Sequence, residues 1–191
     1  MYKSNYDKYP STIVEGTLWK GWEDICSELR SNIKNGSRVV VIECYQGVHH
    51  EELFNGFQEL KAAKWIDTKN LFKSVNEIEQ MTYPYVTDDS LFGFRANFSM
   101  LDFMDAGKLV EAQEQIAVSD ELTVVYGHGA ALVVPNPDLL VYVDMARWEI
   151  QKRARRHEIN GLGVENKDEG ASLHYKRGYF VDWIVCDKLK K

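Results

Sequence analysis

Apolar positions along the chain recur with a period that switches repeatedly between helix-like and strand-like. Residues 19–33 put Trp22, Ile25, Leu29 and Ile33 on one helical face, and Asn35-Gly36 supplies a stop. Residues 38–45 (RVVVIECY) are almost continuously apolar, the pattern of a strand buried on both faces. Helical spacing returns over residues 53–63 through Leu53, Phe54, Phe57 and Leu60, and residues 64–67 predict a short strand ending in Asp67-Thr68. A short helix is expected over residues 77–82, closed by Tyr83-Pro84, and a longer one over residues 101–117 with Leu101, Met104, Leu109, Val110 and Ile116 as its stripe. Two β-rich runs follow at residues 122–126 and 139–144, separated by a small-residue turn and Pro135-Asn136-Pro137. A strongly basic helix is expected over residues 146–158, ended by Asn160-Gly161, and a last strand over residues 180–186. Apolar strands alternating with helices predict an α/β fold: a three-layer, mostly parallel sheet with helices on both faces. The strands at 38–45, 122–126 and 139–144 are expected to be neighbours in that sheet. Residues 1–191 read as a single domain, and the polar, charge-rich segment 161–178 reads as a candidate flap.

Composition changes this picture little. A hydrophobic fraction of 45% and a charged fraction of 27% suit an ordinary globular chain, and 12% aromatic residues favour a packed core. A net charge of −6 offers no electrostatic attraction to nucleic acid or to an anionic membrane, so neither partner is expected. Residues 1–4 lead into polar sequence, and no apolar run is long enough to span a bilayer. Cys26, Cys44 and Cys186 are widely spaced and odd in number, which suits reduced thiols and a cytoplasmic setting.

Candidate chemistry concentrates where ligands gather in such sheets, at the carboxyl ends of the strands. The run from Gln46 through Gly47 to Glu52 has the strand–glycine–helix layout of a phosphate-binding loop. It lacks the further glycines, the lysine and the Ser/Thr that phosphate and magnesium require, and it carries Glu51 and Glu52 instead. His49 and His50 are candidate ligand contacts, although a helix start disfavours a protonated imidazole. Asp67 either accepts a substrate hydroxyl or ends its strand with an Asx-type turn. Gly127-His128-Gly129 permits close approach of backbone to a ligand, or simply a tight turn. Asp144 is either a magnesium-facing carboxylate or a helix cap. The basic run containing Arg153, Arg155 and Arg156 is either an arginine lid over phosphate oxygens or a solvated face near a helix C-terminus. Tyr83, Tyr85, Phe92, Phe94 and Phe98 offer a sugar or base platform, with core packing the commoner use. The five histidines form no metal-ligand spacing and no G-x-S-x-G elbow exists, so neither metal, cofactor nor serine triad is expected.

The ordered succession of Val41 to Gly47, Asp67-Thr68, Asp88-Asp89 with Phe92, Val124 to Leu132, and Leu139 to Asp144 followed by Arg153 and Arg155-Arg156 resembles the uridine kinase and phosphoribulokinase group of P-loop kinases over residues 38–158. That resemblance implies Asp67 as a base acting on a substrate hydroxyl and the three arginines as a lid, with the phosphate loop degenerate. Tyr6 to Thr12, Glu43 to Val48, Val125 to Leu132 and Asp144 to Gln151 resemble the extra N-terminal domain of bacterial proteins named type I mannose-6-phosphate isomerase. This second resemblance implies a covalently linked zinc cupin domain, whose metal ligands are not among these residues. Three functions follow as expectations: a degenerate kinase-like domain binding a small phosphorylated metabolite (a sugar phosphate or nucleotide) without turnover; an active nucleoside or sugar kinase with an unorthodox loop; or a purely structural domain.

Overall fold

The computed structural model describes residues 6–7, 9–34 and 36–190; the expectations that fall on residues 1–5, Lys8, Asn35 and Lys191 lie outside it. Helix α1 (Gly21–Lys34) precedes strand β1 (Val39–Cys44), helix α2 (His50–Gly56), strand β2 (Lys64–Asp67) and helix α3 (Val75–Val86). Then come α4 (Ala106–Ala117), β3 (Thr123–Gly127), the single turn α5 (Ala130–Val133), β4 (Leu139–Val143), α6 (Arg147–Arg155), α7 (Ala171–Arg177) and α8 (Trp183–Leu189).

The four strands form one parallel sheet in the order β2-β3-β1-β4. The strands expected as neighbours are neighbours, with Val41 of β1 opposite Val125 on one side and Leu140 on the other. Strand β1 is central and its side chains divide between two layers. Val40, Ile42 and Cys44 pack with Cys26 and Leu29 of α1 and with Leu53 of α2. Val41 packs with Ala112 and Ile116 of α4 and with Ala130 and Val133 of α5. Both faces are thus covered, the geometry that near-continuous apolar strands require. Strand β4 differs: Leu140 and Tyr142 are exposed in alternation with half-buried neighbours. A third cluster gathers around Tyr45, Ile150, Leu162 and Trp183.

This layout creates a switch point. The chain leaving β1 enters α2 on one face of the sheet, whereas the chain leaving its neighbour β3 enters α5 on the other. Connections that part in this way open a crevice beyond the strand ends, where ligands of open α/β sheets bind.

Several elements depart from their sequence expectation. Residues 180–186 are not a strand: a π turn at Gly178–Asp182 leads into α8. The segment is buried on most sides, so its apolar run, broken only by the buried Asp182, carries no helical period to read. The helix expected over 101–117 is two elements, a 3-10 turn at Met100–Phe103 and then α4. Met104 is extended and bridges to Phe72, and Asp105 caps α4 by accepting from the Lys108 amide. Helix α3 starts two residues before its expected position, on a Ser74–Glu77 capping box, and runs through Pro84 to Val86. The segment expected as a flap, 161–178, contributes Leu162 and Val164 to the core and contains α7. Of the aromatic group, Phe98 and Tyr85 pack against the core, but Phe92 and Phe94 are exposed.

Candidate functional site at the carboxyl edge of the sheet

Helix α2 begins three residues earlier than its apolar stripe suggests, which puts His50 in its first turn, directly beyond β1. His50 Nδ1 lies 3.2 Å from Asp67 Oδ1 at the end of β2, and His50 Nε2 lies 2.9 Å from His128 Nδ1 just after β3. Three strand ends thereby join in one hydrogen-bonded chain, Asp67–His50–His128. Asp67 also ends its strand as an Asx-type turn, accepting from the Lys69 amide at 2.9 Å, the second of its two expected readings.

Electrostatics set the direction of this chain. Burial disfavours the Asp67 carboxylate, but hydrogen bonds from His50, the Lys69 amide and Tyr126 outweigh it and hold its pKa below the ordinary range. Burial, with His50 adding to it, pushes the His128 imidazole down to about 3, so His128 is neutral at physiological pH. Burial and the Asp67 charge push the Tyr126 phenol up to about 12. With Asp67 ionised, His50 donates to it from Nδ1, and in that tautomer of the neutral imidazole Nε2 accepts from His128 Nδ1–H. His128 Nε2 is then left as an acceptor, with no hydrogen bond to any described residue.

The histidines line a cavity of about 600 Å³ together with Gly47, His49, Thr68, Lys69 and Lys73. Thr68 is fully buried and its hydroxyl has no partner. Gly127 permits this crowding: its φ is +117°, and a Cβ there would come within 2.3 Å of Thr68 Oγ1 and 2.9 Å of His50 Cε1. Four glutamates also line the cavity, Glu51, Glu52, Glu158 and Glu165, against the two lysines. Lys73 Nζ is engaged by the Asp102 carbonyl at 2.7 Å.

Both glycine turns are held by the protein's own side chains. Glu43, buried in β1, accepts from the amides of Gly129 and Ala131, each at 2.8 Å. Burial raises the pKa of that carboxyl, and the two amides work against the rise. Gln46 Nε2 donates to the Asn160 carbonyl and Gln46 Oε1 accepts from Trp183 Nε1, while the Gly47 carbonyl accepts from Arg153 at 3.0 Å. The residues expected at the site therefore divide. Gly47, His49, His50 and His128 line the cavity, with Asp67 and Gly127 directly behind, whereas the Gly129 amide serves Glu43.

Arg153, Arg155 and Arg156 separate, and none lines the cavity. Arg153 holds the β1 turn, Arg156 pairs with Glu149 and Glu158, and Arg155 lies by Trp148. Asp144 does not cap α6; it accepts from the Met145 amide and pairs with Lys190. Glu43 lies outside the strand-end candidates, yet the sequence carries a signal for it: an acidic residue inside an otherwise apolar strand needs a specific partner. Among the described residues, no cluster of three His, Cys, Asp or Glu has metal-holding geometry, and no helix is long and apolar enough to cross a membrane.

A family model for a domain of unknown function, DUF8485, matches residues 21–191. The chain belongs to this family. No curated protein and no solved structure matches it. The matched span of the DUF8485 domain contains the whole cavity, so the switch-point site lies inside the family's own unit.

Proposed function

We propose that this domain binds a small sugar-type metabolite carrying at most one phosphate, in the cavity beyond β1 and β3, without phosphoryl transfer. What carries this function is the Asp67–His50–His128 chain, which presents a neutral imidazole acceptor to a cavity at a switch point. Such an acceptor suits a ligand hydroxyl. Lys69 and Lys73 favour a single phosphate, while the four glutamates disfavour the charge of a triphosphate. Phosphoryl transfer also depends on cations placed around the phosphates, which the β1 turn does not supply. The resemblance to the N-terminal domain of mannose-6-phosphate isomerase-type proteins favours a hexose phosphate, and three buried free cysteines favour a reducing, cytoplasmic setting.

A thermal-shift panel tests this. Hexose 6-phosphates should raise the melting temperature in a saturable way, since a ligand at 100 times its Kd adds about 2.7 kcal/mol. Magnesium-ATP should shift it less and yield no phosphorylated product. Stabilisation by magnesium-ATP alone, or ATP-dependent product, would remove the proposal and favour a kinase.

A further inference from the structure

A second cavity, of about 800 Å³, lies on the far side of Ile159, which lines both. Its floor is apolar, formed by the buried Ile150, Ala154, Ile159 and Trp183. Its rim is aromatic and open to solvent: Phe92 is 71% exposed, Tyr179 57% and Tyr175 47%. Exposed rings of this size around a hollow are uncommon on a monomer without a ligand or partner.

These rings are held in place. Phe92 sits in a turn where the Asp89 carboxylate accepts from the Leu91 and Phe92 amides and the Thr87 hydroxyl donates to the Phe92 carbonyl. The buried Lys176 ammonium ties that turn to α7 by donating to the Thr87 and Asp89 carbonyls. Tyr175 and Tyr179 stack at 6.4 Å with 12° between their planes, and Tyr175 meets the Trp183 ring edge-on at 5.2 Å. Tyr179 and Phe180 lie on the π turn, which is anchored by the buried Arg177–Asp182 pair and by Trp183 packing so close under Gly178 that a Cβ there would come within 2.5 Å. Insertions of this kind recur at functional sites. A pre-ordered aromatic rim loses little side-chain freedom when a flat ligand binds.

Charge names the ligand further. No carboxylate lines this cavity, whereas four glutamates line the first. Arg155 opens onto it exposed, with no ion pair among the described residues and only the Trp148 ring beside it at 5.8 Å. We propose that the second cavity is a binding site for a small planar aromatic anion, its ring taken by Phe92, Tyr175 and Tyr179 and its carboxylate or phosphate by Arg155.

Calorimetry with 2-naphthoate and its neutral amide on the whole chain tests this. The carboxylate should bind saturably at one site and more tightly than the amide, by about tenfold, the factor that 1.4 kcal/mol represents. Arg155→Gln should abolish that preference, and Phe92→Ser with Tyr179→Ser should weaken both probes; all three side chains are exposed, so the variants should fold. Absence of saturable binding, equal affinity for acid and amide, or affinities unchanged in the variants would overturn the proposal. So would sedimentation showing a dimer that Phe92→Ser dissociates and naphthoate leaves intact, because a second copy would then be the occupant.

Discussion

Two turns of this molecule share one plan, and they use it differently. After β1, Gly47 at φ +94° leads toward α2; after β3, Gly127 at φ +117° leads toward α5. The first turn is held from outside, by Arg153 on the Gly47 carbonyl and by the Gln46 side chain bridging to Trp183 and Asn160. The second is held from within, by the Glu43 carboxylate on the Gly129 and Ala131 amides. The second turn's Gly129 and Ala131 amides are thus taken by the protein's own carboxylate, and neither turn carries the lysine and Ser/Thr of a phosphate loop. What remains for chemistry is the side chains that the two turns bring together, His50 and His128. A strand–glycine–helix layout is therefore a scaffold, and its function depends on whether the protein's own groups already occupy the turn.

The sharpest way to break this comparison is at Glu43. Glu43→Ala should orphan two buried amides and leave a void, costing about 3–5 kcal/mol in denaturant unfolding. Glu43→Gln keeps one acceptor and should cost less, about 1–3 kcal/mol. If both are near neutral, the second turn is not held from within. The two glycines come next. Gly127→Ala should cost about 2–4 kcal/mol, because a strained φ is joined by contact with Thr68 and His50, and Gly47→Ala about 1–2 kcal/mol, since beside its own strained φ the nearest contacts of its Cβ are with the Ile150 side chain.

The histidine pair predicts a pH dependence of its own. The folded pKa of His128 lies below the unfolded value, so the folded state binds fewer protons between about pH 3 and 6.5, and stability should fall as pH drops through that window. His128→Gln should remove about 1–3 kcal/mol of the stability difference between about pH 7 and pH 4.5. Glu43, whose pKa is raised, contributes with the opposite sign in both proteins, so their difference isolates His128. A parallel pair of stability curves would contradict the buried neutral imidazole. The smallest effects belong to the arginines. Arg153→Ala should cost about 1 kcal/mol by releasing the Gly47 carbonyl, and Arg156→Ala, an exposed pair, should leave the melting temperature unchanged.

Much of the sheet was legible because strand burial writes itself into local pattern: VVVIEC and TVVYG are apolar but for Glu43 and Thr123, and their neighbours fall in the expected places. The C-terminal helices were not legible, since burial on most sides removes the polar face that marks a helical period. The same limit applies to the site. Asp67, His50 and His128 were visible as strand-end residues, but the hydrogen bonds that join them span 17 and 78 positions. The arginine run looked like one device in sequence, and a helix face distributes it to three places.

The central claim is most directly tested by calorimetric titration of a hexose 6-phosphate into the unmodified chain and into His128→Gln. The account predicts saturable one-site binding to the unmodified chain, weakened about tenfold in the variant by loss of the cavity's acceptor. Heat that does not saturate, or equal affinity in the two proteins, would contradict it.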